Sequence, residues 1–193
     1  YIFRINPRVQ AIISGTFIGI AYHPLNFGFL ALIGFIPLFN TFFNGSIRAN
    51  VINGYIFGLV YNLVAFYWIG ANSGASSLTV ISSLIIAVLY LSLYWSFVGF
   101  IFSIIYIEWK QSIGSFLLPI IIVTMEWIRS IGPLGFPWSN LALTQSKYIY
   151  LIQIMEITGT YGISFIIVSV NLIIYHSIKR NSFFKDGIIP LII

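Results

Sequence analysis

The sequence predicts an all-α protein: a polytopic bundle of transmembrane helices with six spans and the start of a seventh. Three observations carry this reading. Of 193 residues, 59% are hydrophobic and only 7% are charged. Soluble domains carry roughly 25% charged residues, so this chain has too few to clothe a water-facing surface. Its mean hydropathy is +0.99. Finally, apolar runs recur between short polar breaks, and several match the ~20 helical residues that cross a ~30 Å hydrocarbon core.

The first run, Val9 to Tyr22, is short and closes at His23-Pro24, because proline disfavours helix at the residue before it. The second, Phe27 to Phe43, contains Pro37, which is expected to kink the helix rather than end it. Asn44-Gly45-Ser46 reads as a turn. The third, Val51 to Ile69, carries Gly54 and Gly58, a small-xxx-small face for close helix packing. A polar loop from Gly70 to Ser77 precedes the fourth run, Leu78 to Ile107, which is longer than a membrane needs and must tilt or protrude. The fifth is Phe116 to Ile131. A long break, Gly132 to Thr160, separates it from the sixth, Tyr161 to Ile178. A seventh run starts at Gly187, and the sequence stops at Ile193, which reads as a span cut part-way. Within the long break, Lys147 to Ile157 fits a short helix lying along the surface, with Tyr148, Leu151, Ile152 and Met155 on one face.

Charge sets the orientation. With the N-terminus in the cytoplasm, inner segments hold Arg4, Arg8, Arg48, Lys110, Lys179, Arg180 and Lys185, and outer loops hold only Arg129 and Lys147. That asymmetry follows the positive-inside rule. The Gly132–Thr160 segment then lies outside, and anything after the seventh span begins outside as well. The net charge of +5 comes with no basic cluster on a polar face, so nucleic acid is not an expected partner. The aromatic share of 18% suits two interfacial belts. The chain has no cysteine, which excludes disulfides, thiolate metal sites and a cysteine nucleophile within it.

Chemistry-bearing residues are few. Of four acids, Glu108 and Asp186 read as loop charges beside Lys110 and Lys185. Glu126 stands inside the fifth span, and Arg129 follows three residues later on the same helical face. An ionisable residue within a span is a functional-site hypothesis by default. A structural ion pair that neutralises itself and pins the helix end is the alternative. The outer loop places Phe136, Trp138 and Leu141 among Ser139, Asn140, Thr144 and Gln145, donors and acceptors suited to an amide or ester. Its two readings are a substrate-binding surface, with Phe136, Trp138 and Gln145 as the tentative contacts, and a plain interfacial anchor. His23 and His176 fall at span ends with no second ligand at metal spacing, so no metal and no cofactor are expected. Gly-x-Ser-x-Gly, phosphate-loop and His-Glu-x-x-His motifs are absent. No complete catalytic constellation stands in the chain.

Three stretches carry a family resemblance: Thr124-Met-Glu-Trp-Ile-Arg-Ser130, Gly135-Phe-Pro-Trp-Ser-Asn-Leu-Ala-Leu-Thr-Gln145 and Leu151-Ile-Gln-Ile-Met-Glu-Ile-Thr-Gly-Thr-Tyr-Gly-Ile-Ser-Phe165. In order and spacing they resemble apolipoprotein N-acyltransferase. Weaker echoes lie upstream, in Gly19-Ile-Ala-Tyr-His-Pro-Leu25 and in Gly58 with Phe66-Tyr-Trp-Ile69. One departure is Ala142-Leu143, where the family often has Gly-Tyr. The resemblance covers nearly the whole chain, residues 1–193, as the membrane domain. It implies a multi-pass protein of the bacterial inner membrane that moves an acyl chain from a phospholipid donor to the N-terminal cysteine amine of an apolipoprotein acceptor, through a cysteine thioester assisted by a glutamate and a lysine. The resemblance places those catalytic residues in a nitrilase-like domain after the seventh span, in cis or in trans, so none is expected in this chain. Membrane lipid is its other expected partner. Two alternatives stay open: a transporter or lipid-binding scaffold, which predicts discontinuous helices, a polar midplane site or an internal repeat, and the membrane subunit of a split acyltransferase.

Overall fold

Every regular element within residues 5–22, 24, 27–109 and 111–179, the residues that the computed structural model describes, is helical. His23, Lys110, Arg180, Lys185, Asp186 and the expected seventh span at Gly187–Ile193 lie outside the described residues, as does Arg4.

Helix α1 (Pro7–Ala21) opens on Asn6, whose side chain accepts the Arg8 amide at 2.9 Å, with Pro7 at a position where a missing N–H costs nothing. The second expected span is not one helix. A 3₁₀ turn (Gly28–Leu32) and a bend at 33–35 precede α2 (Ile36–Asn44). Pro37 therefore starts a helix instead of kinking one, again in the first turn, where it displaces no hydrogen bond. The backbone groups released by the break are taken up inside the protein. Asn171 accepts from the Phe35 amide at 2.9 Å and donates to the Ala31 carbonyl at 2.7 Å, and Ser14 Oγ accepts from the Leu38 amide at 2.9 Å. Non-helical backbone at membrane depth is tolerated only where protein covers it in this way.

Helix α3 (Ile47–Phe66) is capped by Ser46 and runs into a 3₁₀ turn (Tyr67–Ala71). Helix α4 (Ser77–Glu108) has 32 residues, about 48 Å at 1.5 Å per residue, so it exceeds the hydrocarbon thickness. Helix α5 (Gln111–Arg129) contains Pro119. The expected surface helix is broken into α6 (Ile149–Gln153) and the first turn of α7 (Met155–Lys179), which bends at Gly159 (φ 66°, ψ −177°). Helices α3, α4 and α7 are long and apolar enough to cross a membrane, by length and composition. Helix α1 and Gly28–Asn44 are shorter, and α5, at 19 residues, is not among these three.

Neighbour relations close a ring: α1 against α3, α3 against α4, α4 against α5, α5 against α7, α7 against α2, and α2 back against α1. Helix α2 also reaches α3 and α4, and six of its nine residues are buried. The ring is tightest at its glycines. A Cβ on Gly54 or Gly58 would strike the α4 backbone at Trp95 or Ser92, and one on Gly15 would lie 2.8 Å from the Phe57 carbonyl of α3. The small-residue spacing of α3 therefore brings two backbones together. Around this seam the core is aromatic: Phe35, Phe39, Phe57, Tyr61 and Trp95 pack in stacked, tilted and edge-on pairs with centroids 4.5–6.0 Å apart. Phe43 and Tyr175 stack at 5.0 Å, and His176 packs against both rings at 5.3 Å.

Candidate functional site

The chain between α5 and α6 folds back over one end of the bundle, here called the loop end, instead of floating beside it. Gly132, at φ 85°, lets α5 stop, and the Phe136 amide returns to the Arg129 carbonyl at 2.8 Å. Two 3₁₀ turns follow, Pro137–Ser139 and Leu141–Gln145.

One backbone atom, the Ser139 carbonyl oxygen, organises the closure. Arg129 Nη2 donates to it at 2.7 Å, and the Tyr22 and Tyr61 hydroxyls lie 2.9 and 2.8 Å from it. The two hydroxyls are also 2.7 Å apart. Two hydroxyl protons serve these three oxygen–oxygen contacts, so one tyrosine donates to the carbonyl and the other to its neighbour. Two residues on, the Leu141 amide donates to Glu126 Oε1 at 2.7 Å. The Glu126 and Arg129 side chains stand 3.8 Å apart, close enough for Coulombic attraction but too long for a hydrogen bond. Both residues are 3% exposed, so the pair lies inside the protein rather than at its surface. Among the described residues, Glu126 Oε2 and Arg129 Nε have no hydrogen-bond partner. Each charged group thus spends its main contact on the loop backbone, one on a carbonyl and one on an amide.

Asn140 performs the same task toward α7. Its Oδ1 accepts the Ala142 amide and the Ser164 hydroxyl, both at 2.9 Å. Gln145 Nε2 donates to the Gly28 carbonyl at 2.9 Å and to Thr144 Oγ1 at 2.8 Å. The Thr144 hydroxyl donates to the Leu141 carbonyl at 2.7 Å. Ser139, Asn140, Thr144 and Gln145 are all buried, and their polar groups tie the loop to α1, α3, α5 and α7.

The structure therefore divides the residues that the sequence singled out. Glu126, Arg129 and Gln145 come together as the inner fastening of one loop. Phe136 is half-buried, with its ring edge-on to Phe66 at 5.0 Å and to Trp138 at 5.3 Å. Trp138 projects outward and is 61% exposed. Leu134, Leu143, Tyr150 and Ile157, in the same break between α5 and α7, are also exposed. Sequence reasoning missed Tyr22 and Tyr61. A hydroxyl deep in an apolar run needs a partner, and that was the one available signal for Tyr61. Among the described residues, no group of three His, Asp or Glu side chains is arranged to hold a metal.

This geometry falls within a known sequence family. Residues 14–173 match the apolipoprotein N-acyltransferase N-terminal domain. The chain is 30% identical over 181 residues to the apolipoprotein N-acyltransferase of Geobacter metallireducens, covering 89% of this chain and 33% of that protein. It is 26% identical over 172 residues to the Coxiella burnetii protein of the same name, covering 86% and 35%. A shorter stretch of 62 residues, 30% of this chain and 11% of the relative, is 39% identical to apolipoprotein N-acyltransferase 2 of Treponema pallidum. The chain spans about a third of the length of the relatives it matches most fully.

Proposed function

The chain belongs to the apolipoprotein N-acyltransferase family, and we propose that it is the membrane portion of an enzyme that transfers an acyl chain from a phospholipid to the N-terminal cysteine amine of an apolipoprotein. The observation that carries this reading is the fastened loop: buried polar groups hold a stiff platform at one end of the bundle, and the platform presents Trp138 and a run of apolar side chains outward. Donor and acceptor are both held in lipid by their own chains. Such a platform suits guiding them to a water-side catalytic domain without entering the reaction itself. Trp138 and Phe136 are its contact residues, and Gln145 acts from behind, holding the loop's shape through Gly28.

The acyl-transfer step needs an activated nucleophile, a base within hydrogen-bond reach and an oxyanion site. This chain has no cysteine. In the proposed enzyme those parts come from a nitrilase-like domain carrying Cys, Glu and Lys, joined to this chain or separate from it. The protein resides in a bacterial inner membrane with its N-terminus in the cytoplasm, so that the loop faces the same side as that domain.

Discontinuity between Gly28–Leu32 and α2 is a feature that a transporter also shows. Here Asn171 and Ser14 occupy the freed backbone groups, which leaves that break no polar set for a passing substrate, and this favours the acyltransferase reading. Supplied with phospholipid and a diacylated lipopeptide, the purified chain should form no thioester and no N-acylated product. Addition or fusion of a nitrilase-like domain should give product, and Trp138→Ala should lower that turnover about tenfold. Product formed by the cysteine-free chain alone, or a fused enzyme indifferent to Trp138→Ala, would overturn the reading.

A further inference from the structure

At the end of the bundle opposite the loop, the first turns of α1 and α3 stand side by side around a cleft of about 410 Å³. Asn6 and Arg8 line it from α1, and Ser46, Arg48, Ile52 and Asn53 line it from α3. Its charge is uncompensated. Arg8 and Arg48 are exposed, and neither guanidinium has an ion-pair or hydrogen-bond partner among the described residues. The N-termini of helices of 15 and 20 residues meet at the same cleft, and each adds the equivalent of about half a positive charge.

An independent observation points to a ligand. Asn53 is 3% exposed and borders the cleft, yet its side-chain amide makes no hydrogen bond among the described residues. Its polar atoms are not sealed off, so the amide keeps access to the cleft and its donor is free for an acceptor brought from outside. The walls also have an apolar side. Pro7, Ala49 and Ile52 line it as well, with Ile52 37% exposed, and Val9, next in sequence to Arg8, is exposed on α1.

We infer that this cleft binds the phosphate of a phospholipid headgroup. Two guanidinium groups meet the phosphate oxygens, geometry that arginine supplies better than lysine, while the Asn53 amide donates from below. The acyl chains run down the apolar flank past Ile52 and Val9. The rim separates this reading from binding of a free anion, because a soluble phosphate has no use for exposed isoleucine and valine beside its site. Basic pockets between spanning helices are a recurring way of holding lipid headgroups. The site lies at the opposite end of the bundle from the loop surface proposed above to meet the acyl donor. It takes from the topology proposed above only the name of the leaflet, and its test involves no acyl transfer.

The test is lipid retention by the full chain in detergent, read by native mass spectrometry, with phosphatidylglycerol and phosphatidylcholine as probes and inorganic phosphate as competitor. The wild-type chain should keep one phosphatidylglycerol. Arg8→Gln/Arg48→Gln should bind it at least tenfold more weakly, with the helical circular-dichroism spectrum kept. Asn53→Leu retains both charges and nearly the same side-chain shape but removes the amide donor, and it should give a comparable loss. Lys147→Gln removes a charge near the loop and should change nothing. Unaltered retention in the arginine variant or in Asn53→Leu would overturn the assignment, as would equal loss in Lys147→Gln. Displacement by millimolar inorganic phosphate would show an anion site without lipid selectivity, and would overturn it too.

Discussion

The Ser139 carbonyl is a small target for so much buried polarity, and that concentration has a measurable consequence. Glu126 and Arg129 neutralise each other across 3.8 Å while each holds the loop by a separate hydrogen bond. Removing either partner leaves a buried charge uncompensated, a change that typically costs about 3–5 kcal/mol. Glu126→Ala and Arg129→Ala should each sharply reduce folded protein in detergent, and the double variant should lose less than the sum. Strict additivity in thermal or denaturant unfolding would show that the two do not interact. Tyr61→Phe removes one of the two hydroxyl protons in the triangle and should cost about 1–2 kcal/mol, from lost hydrogen bonding and an under-satisfied carbonyl. Legibility at this scale is uneven for a physical reason. An acid and a base in an apolar run stand out by their rarity. The atoms that they hold, the Ser139 oxygen and the Leu141 nitrogen, belong to the backbone, and no residue letter marks them. For the same reason Gln145 reads as a substrate contact, and Ser139, Asn140 and Thr144 as groups suited to an amide or ester, although their nearest demand is the chain's own polar groups.

Helices show a comparable split between local and distant causes. Apolar length alone marks α3, α4 and α7, and the Gly54–Gly58 spacing marks the face on which α3 meets α4. Gly58→Val should therefore force the seam apart at Ser92 and abolish stable folding, whereas Leu63→Val, at a lipid-facing position, should be nearly silent. The break before α2 is different. Pro37 is compatible with a kinked span and with a fresh helix start, and the side chain that decides between them, Asn171, lies 136 residues from Phe35 in sequence. Periodicity in a window cannot register such a partner. Gly159 is a third case. With φ 66° and ψ −177° it occupies a region essentially reserved for glycine, although a Cβ there would meet nothing within 4 Å. Gly159→Ala should consequently cost about 1–3 kcal/mol through backbone strain alone. It should also re-aim the short segment that joins the loop to α7, visible as altered protease sensitivity between Tyr148 and Tyr161.

For the molecule as a whole, everything depends on which way the bundle faces. The proposed reaction needs the loop end on the side of the catalytic domain, and the proposed lipid cleft needs the opposite end in the cytoplasmic leaflet. The proposed orientation rests on seven basic residues against two. The ring of helices carries the same alternation, because α1 and α3 both begin at the cleft end and α5 ends at the loop. The chain offers a direct way to test this, since it contains no cysteine and each introduced thiol is the only one present. Ser73→Cys, between α3 and α4, and Leu134→Cys, 71% exposed beyond α5, should react with a membrane-impermeant maleimide applied to intact cells. Asn44→Cys, at the end of α2 just before α3, and Glu108→Cys, at the end of α4, should react only after the membrane is opened. The four sites form a single pattern, because α3 and α4 are adjacent and antiparallel, so a real inversion must exchange all four together. Labelling of Asn44→Cys and Glu108→Cys in intact cells, with Ser73→Cys and Leu134→Cys protected, would turn the loop platform toward the cytoplasm. The acyltransferase reading would then lose its geometric basis even though the fold and the family membership stood unchanged.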